Sequence, residues 1–202
     1  MMRRLLLASQ SPRRSELLSQ MGLPFDVLVI DLDESRVPGE APDLYVERMA
    51  REKCMAGVTR SDNDPIGVIG ADTIVLLEDE ILGKPRGLTD GKAMLAKLSG
   101  RTHVVLSGVA VSDGQNLESD VVRSSVTFKS LTDHDIDAYW STGEGQDKAG
   151  SYGIQGIGGI LVERIEGSFS AVMGLPVHET EALLQKLNID TWSMRSQWLK
   201  NS

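Results

Sequence analysis

Leu5-Leu6-Leu7-Ala8-Ser9-Gln10-Ser11-Pro12-Arg13-Arg14 sets the first unit of the fold. Four apolar residues in a row, too few for a helix, read as a short buried strand. Ser11 then has the side chain of a helix N-cap. Pro12 suits the first helical position, where its missing N–H would be unpaired anyway. Gly22 closes the helix so opened, because it tolerates a left-handed backbone. A buried strand feeding directly into a helix is the start of an α/β protein.

The same alternation continues along the chain. Phe25 to Ile30 predicts a second strand, followed by the acidic Asp31-Leu32-Asp33-Glu34. A long helix is expected over about Asp43–Val58, and a strand over Val68–Leu77 ending in a turn at Glu78-Asp79-Glu80. A helix at Asp90–Leu98, strands at Val104–Val111 and Val121–Phe128, and a helix from Thr132 to Trp140 come next. A glycine-rich stretch, Gly150–Gly159, precedes a strand at Ile160–Ile165 and a helix at Leu175–Leu187. Helices and strands interleave without repeat, which specifies a mixed α/β fold. No Pro/Gly/Ser linker marks a boundary, so residues 1–189 read as one domain and 190–202 as a C-terminal tail. Trp192 and Trp198 leave that tail open between a helix packed on a partner and a mobile end.

Of the 202 residues, 41% are hydrophobic, enough for a sizeable core, and the formal net charge is −8. A nucleic acid polymer is a poor partner for such a chain, since binding one requires a basic face. A single nucleotide is not excluded, because a few local cations hold it, and Arg3, Arg4, Arg13 and Arg14 cluster near the N-terminus. The single cysteine, Cys54, forbids an internal disulfide and fits a reducing compartment. No apolar run reaches the roughly 18 residues of a membrane span. Leu5–Ala8 is too short for a signal peptide, so a soluble cytoplasmic protein with no membrane partner is expected.

Several residues conflict with their local setting. A helix start carries unpaired N–H groups and a positive dipole end, yet Arg13 and Arg14 stand there instead of acids. An anion bound at the helix start resolves the conflict, and so does plain solvent exposure. On the long helix, Tyr45, Val46, Met49, Ala50, Cys54 and Ala56 share one half, and Lys53 falls near its middle. Its ammonium either snorkels outward or meets an anion. Asp72 interrupts the apolar Val68–Leu77, where a carboxylate is costly unless it is paired, hydrogen-bonded, metal-bound or capping a turn. Glu34 offers a hard oxygen ligand of the kind Mg²⁺ takes, or belongs to a solvated loop. Lys84 is held between Gly83 and Pro85, as an aimed lysine or an ordinary turn residue would be. Gln155, inside five glycines in ten residues, offers an amide that can both donate and accept at a base edge. The stretch is neither GxGxxG nor a P-loop. His103, His134 and His178 have no metal-ligand spacing, and Cys54 reads as a buried thiol.

Taken in order, SQSPRR, AREK, GADT, GKPR and DKAGSYGIQGIGG resemble the motifs of the Maf family of nucleotide pyrophosphatases, from Leu5 to about Leu187. The resemblance implies an elongated α/β structure with two lobes on a central mixed sheet, a deep cleft between them, and commonly a homodimer. It further implies Asp72 as proton acceptor, and Arg13, Thr73 and Gln155 as specificity positions. Arg14, Lys53 and Lys84 become phosphate-binding cations, and Glu34 with Asp72 the ligands of Mg²⁺ or Mn²⁺. Arg13-Arg14, Asp72-Thr73 and Gln155 are similar to the subclass that hydrolyses dTTP and UTP, with modified pyrimidines as further candidates. The subclass acting on 7-methyl-GTP carries Trp, Gln and a Ser-Glu pair at the corresponding places. The expected reaction is hydrolysis between the α and β phosphates, releasing a nucleoside monophosphate and pyrophosphate. The alternative in a different class is a nucleotide-binding regulator of septum formation with little turnover, and a Rossmann dehydrogenase is disfavoured by the missing GxGxxG.

Overall fold

The computed structural model describes residues 4–61 and 65–201, so Arg3 lies outside it. The opening strand and helix form as expected: β1 is Leu5–Ala8 and α1 is Pro12–Gln20, with Ser11 at the N-cap and Pro12 leading the helix. The Ser11 side chain makes no capping bond; its backbone N–H instead donates to Ser9 Oγ at 3.1 Å. Gly22, at φ 68°, ends the turn by donating its N–H to Ser19 O. β2 is Phe25–Leu28, two residues shorter than expected, and α2 is Pro42–Arg60.

β3 runs Gly67–Leu77, and a two-residue turn at Glu78-Asp79 returns the chain as β4, Glu80–Leu82. The expected three-residue turn was one residue too long, because Glu78 adopts φ 54° and closes it tightly. α3 is Leu88–Leu98, β5 Thr102–Ser112, β6 Leu117–Phe128 and α4 Asp133–Ser141. Thr132 caps α4 in a reciprocal capping box with Asp135. β7 starts at Val162 and runs to Glu166, two residues later than expected, because 157–161 form a 3₁₀ turn. α5, Phe169–Met173, was not foreseen; five residues are too few to show a helical period. α6 is Val177–Lys186 and α7 is Thr191–Asn201.

Among the described residues seven strands form one mixed sheet in the order β2-β1-β3-β5-β6-β7, with β4 also paired to β3. β1 is parallel to both β2 and β3, while β3–β4 and β6–β7 are antiparallel. Helices between parallel strands are the ordinary consequence of such crossovers.

Two compact units make up the chain. The first takes the described residues up to Asp72, then Ser107–Val122, then those from Gly174 onward. Its core includes Leu6, Ala8, Ile30, Ala50, Cys54, Val68 and Ala110. There α2 lies so close to β3 and β5 that a side chain at Gly70 would strike the backbone of Ala50 and Cys54, and one at Gly108 would meet Val46 O. In the same unit the tail packs as α7. Thr191 and Met194 are buried, Arg195 binds Glu181 through its two terminal guanidinium nitrogens, and Arg195 Nε donates to Met21 O at 2.7 Å. The second unit is Thr73–Leu106 with Arg123–Met173, built around Leu77, Leu95, Leu98, Val126, Phe128 and Tyr152. Among the described residues no helix is long and apolar enough to cross a membrane.

Candidate active site

β3 carries Asp72 into the first unit and α2 presents Lys53 to it. Lys53 and Asp72 are both buried, at 8% exposure each. Lys53 Nζ donates to Asp72 Oδ1 at 2.7 Å and lies 2.6 Å from Glu34 Oε1. One ammonium thus bridges two carboxylates, which settles both open questions about Lys53 and Asp72: each meets an opposite charge, and neither snorkels nor caps a turn. The small residues explain the approach. Gly70 lets α2 come down onto β3, and one pleat further along the strand Asp72 meets Lys53 on the same side.

Glu34 sits in irregular backbone after β2, and α2 holds that backbone. Tyr45 Oη donates to Glu34 O at 2.8 Å, and Arg48 Nη2 donates to Ser35 O at 3.1 Å. Arg48 also grips Glu40 with two nitrogens, at 2.6 and 2.9 Å. Asp33 turns away to accept the Ser35 N–H, so of the acidic cluster Glu34 is the member bonded to Lys53. Burial, with the nearby Asp72 and Glu34 charges, pushes the Tyr45 hydroxyl up to about 12, so it stays a neutral donor.

At the start of α1, Arg14 is already aimed. Its Nε donates to Gly174 O at 2.8 Å and its Nη1 to Ser9 Oγ at 3.2 Å. Burial lowers its pKa while Asp72 and Glu34 oppose that shift, which puts its charge in the same field as the two acids. Arg13 is partly exposed and makes no hydrogen bond or ion pair to another described residue.

Arg14, Glu34, Lys53 and Asp72 therefore share one electrostatic cluster in the first unit, with Arg13 beside it. Thr73, Lys84 and Gln155 belong to the second unit. Thr73 follows Asp72 on β3 and is half-buried, while Lys84 and Gln155 are exposed. The Lys84 turn is tied to the glycine-rich stretch by the Gly150 N–H, which donates to Gly83 O at 3.1 Å.

Whether the cluster suits a divalent cation depends on its donors. Among the described residues no group of three His, Cys, Asp or Glu side chains is placed to hold a metal ion. Mg²⁺ needs no such cage, since it is commonly held by one or two carboxylates, water and substrate phosphate. Glu34 and Asp72 converge on a single position, and the Lys53 ammonium stands where a cation would. The pair fits in that sense.

Sequence reasoning missed Tyr45 and Arg48. Tyr45 counts as apolar in a helical period, and Arg48 lies on the polar side, so neither breaks a pattern. His103, which has no metal-ligand spacing, is a structural core residue: its Nε2 pairs with Tyr152 Oη at 2.8 Å, and burial lowers its pKa to about 4. Cys54 is buried, as expected, and its thiol is pushed up to about 12.

Residues 4–187 match the family described as "Maf-like protein". A dTTP/UTP pyrophosphatase of Pseudoalteromonas atlantica is 49% identical over 187 residues, covering 92% of this chain and 97% of that protein. The dTTP/UTP pyrophosphatase of Vibrio cholerae is 51% identical over 91% of this chain and 97% of its own length. One from Escherichia coli is also 51% identical, over 91% and 93%.

Proposed function

This chain belongs to the Maf family, and from that premise we propose that it is a nucleoside triphosphate pyrophosphatase that hydrolyses dTTP and UTP to the monophosphate and pyrophosphate. The observation that carries the reading is the bridge of Lys53 to Asp72 and Glu34, two carboxylates kept together beside Arg14. A site built only to bind phosphate gains nothing from carboxylates, which repel it. A site that must take a proton from water and hold a cation needs both.

In this reading Asp72 accepts the proton of the attacking water. Arg13, Arg14, Lys53 and Lys84 balance the triphosphate charge, with most effect where charge builds in the transition state. Glu34 and Asp72 are the side chains that would hold Mg²⁺ or Mn²⁺. Bound there, the ion would withdraw charge from the phosphates and make water more acidic. Thr73 and Gln155 read the pyrimidine edge, because a base with a mismatched donor pattern leaves buried polar groups unpaired. The substrate is a free nucleotide rather than a polymer, and the net charge of −8 supports that choice. A cytoplasmic homodimer is part of the same proposal.

Pyrophosphate release from dTTP, UTP, 7-methyl-GTP and dGTP, with and without chelator, tests the reading. The expected pattern is turnover of the two pyrimidines, lost on chelation. Asp72→Asn keeps the shape and removes the base, and should lower kcat about 10²–10⁴-fold. Near wild-type release by that variant would remove Asp72 from its role, and binding without consumption would favour a regulator.

A further inference from the structure

Glu144 takes no part in the reading above, yet it organises the glycine-rich stretch. Its Oε2 accepts the Ile157 N–H at 2.7 Å, and its Oε1 accepts the Gly158 N–H at 2.9 Å. Oε1 also accepts the Tyr139 hydroxyl at 2.9 Å, and that same hydroxyl oxygen accepts the Gly153 N–H at 3.0 Å. Backbone amides on both sides of Gln155 are thus held by one carboxylate, directly or through a single hydroxyl.

Three of the glycines, Gly153, Gly156 and Gly158, follow from this approach. A side chain at Gly156 would collide with Glu144 Oε2. One at Gly158 would lie 2.6 Å from Gly153 O and 2.8 Å from Tyr139 Oη. One at Gly153 would come within 3.1 Å of Glu144 Oε1. From the other side, Lys148 Nζ donates to Glu144 O at 2.5 Å, which anchors the carboxylate's own backbone. Burial pushes the Glu144 carboxyl upward, but the Gly158 and Ile157 amides outweigh it, so the group sits below its ordinary range and is ionised near neutrality.

We propose that Glu144 is the positioning residue for base selection: it holds residues 153–158 in the one conformation that presents Gln155 to the pyrimidine. The proposal rests on the reading that Gln155 meets the base. Catalytic charge stays with Asp72 and the cations, so losing Glu144 should loosen substrate recognition and leave the chemical step nearly intact.

Glu144→Gln tests this, since an amide keeps one acceptor and turns an N–H₂ toward backbone N–H groups that already need acceptors. With dTTP its KM should rise about tenfold or more, as the loss of charge-assisted hydrogen bonds predicts. Its kcat should stay within about twofold, and the preference for dTTP over dGTP should fall as KM rises. Glu144→Asp should restore part of that preference. Tyr139→Phe, which removes the Gly153 link and the hydroxyl's bond to Glu144 but leaves the carboxylate's bonds to Ile157 and Gly158, should shift KM and preference in the same direction by less, and it decides the matter if Glu144→Gln does not fold. A fall in kcat at constant KM and preference would overturn the proposal, as would a Tyr139→Phe enzyme indistinguishable from wild type. A wild type with no pyrimidine preference overturns the base-reading premise and the proposal with it. A wild-type preference that the variants retain overturns the proposal alone.

Discussion

Lys53 sits where two opposing demands meet. An ammonium at 8% exposure is costly alone, and so is Asp72, but the pairing of Lys53 with Asp72 and Glu34 offsets much of both costs. Removing one partner of a buried pair costs about 3–5 kcal/mol. Since the Glu34 side chain is 52% exposed, water screens part of the loss and about 2 kcal/mol is the better figure. Lys53→Met should therefore lower the melting midpoint by roughly 4–8 °C. It also leaves the two carboxylates without the ammonium that bridges them, with Arg14 the remaining cation of the cluster. Mn²⁺ should then raise the midpoint of the variant more than that of the wild type. Calorimetry with and without the metal measures both effects, and an equal response in the two proteins would separate the carboxylates from metal binding.

The crossing of α2 over β3 makes that pairing possible. Gly70 is what allows it: its missing side chain is the gap into which the Ala50 and Cys54 backbone descends. Backbone atoms cannot rotate aside as a flexible side chain would, so Gly70→Ala forces the helix off the sheet. The expected cost is about 3 kcal/mol, at or above the top of the usual overpacking range. Gly83→Ala is the control, because nothing lies within 4 Å of its added carbon. It should stay within about 0.5 kcal/mol of wild type. Urea unfolding midpoints compare the two, and similar values would mean that α2 shifts freely on the strand. Gly70 and Asp72 are both visible in the sequence as oddities of one strand. What they face is not visible, because α2 lies about a helix length earlier in the chain.

In the molecule as a whole, the family pattern ends at residue 187 while the packed structure continues. α7 adds the paired Arg195–Glu181 fork, the Thr191 hydroxyl on Glu181 Oε1, and the buried Met194. None of the proposed site residues lies in it. Deleting residues 190–202 should cost about 2–4 kcal/mol, the range for losing a buried Met side chain with its neighbouring bonds. KM for dTTP should not change. Denaturant unfolding and steady-state kinetics read the two separately, and a raised KM would give the tail a role at the site.

Much of the fold was legible because local rules and tertiary demands agree. The apolar runs became strands, Pro12 and Thr132 opened helices, and Gly22 closed one, each for a reason contained within a few residues. The candidate site was legible only as conflict. Arg13 and Arg14 at a helix start, Lys53 on an apolar face and Asp72 in an apolar strand all break a local preference, and such costs are tolerated only where something repays them. The repayment itself was invisible. That Lys53 answers Asp72 and Glu34, that Tyr45 and Arg48 hold the Glu34 backbone, and that Glu144 holds the glycine-rich stretch are contacts across many residues. These helpers violate no local rule: Tyr45 passes for a core residue and Glu144 for a surface acid. Sequence alone determined which groups were out of place, since propensity and desolvation act locally. Only the tertiary structure decided which partner each one found, because hydrogen bonds and ion pairs depend on distance in space and not along the chain.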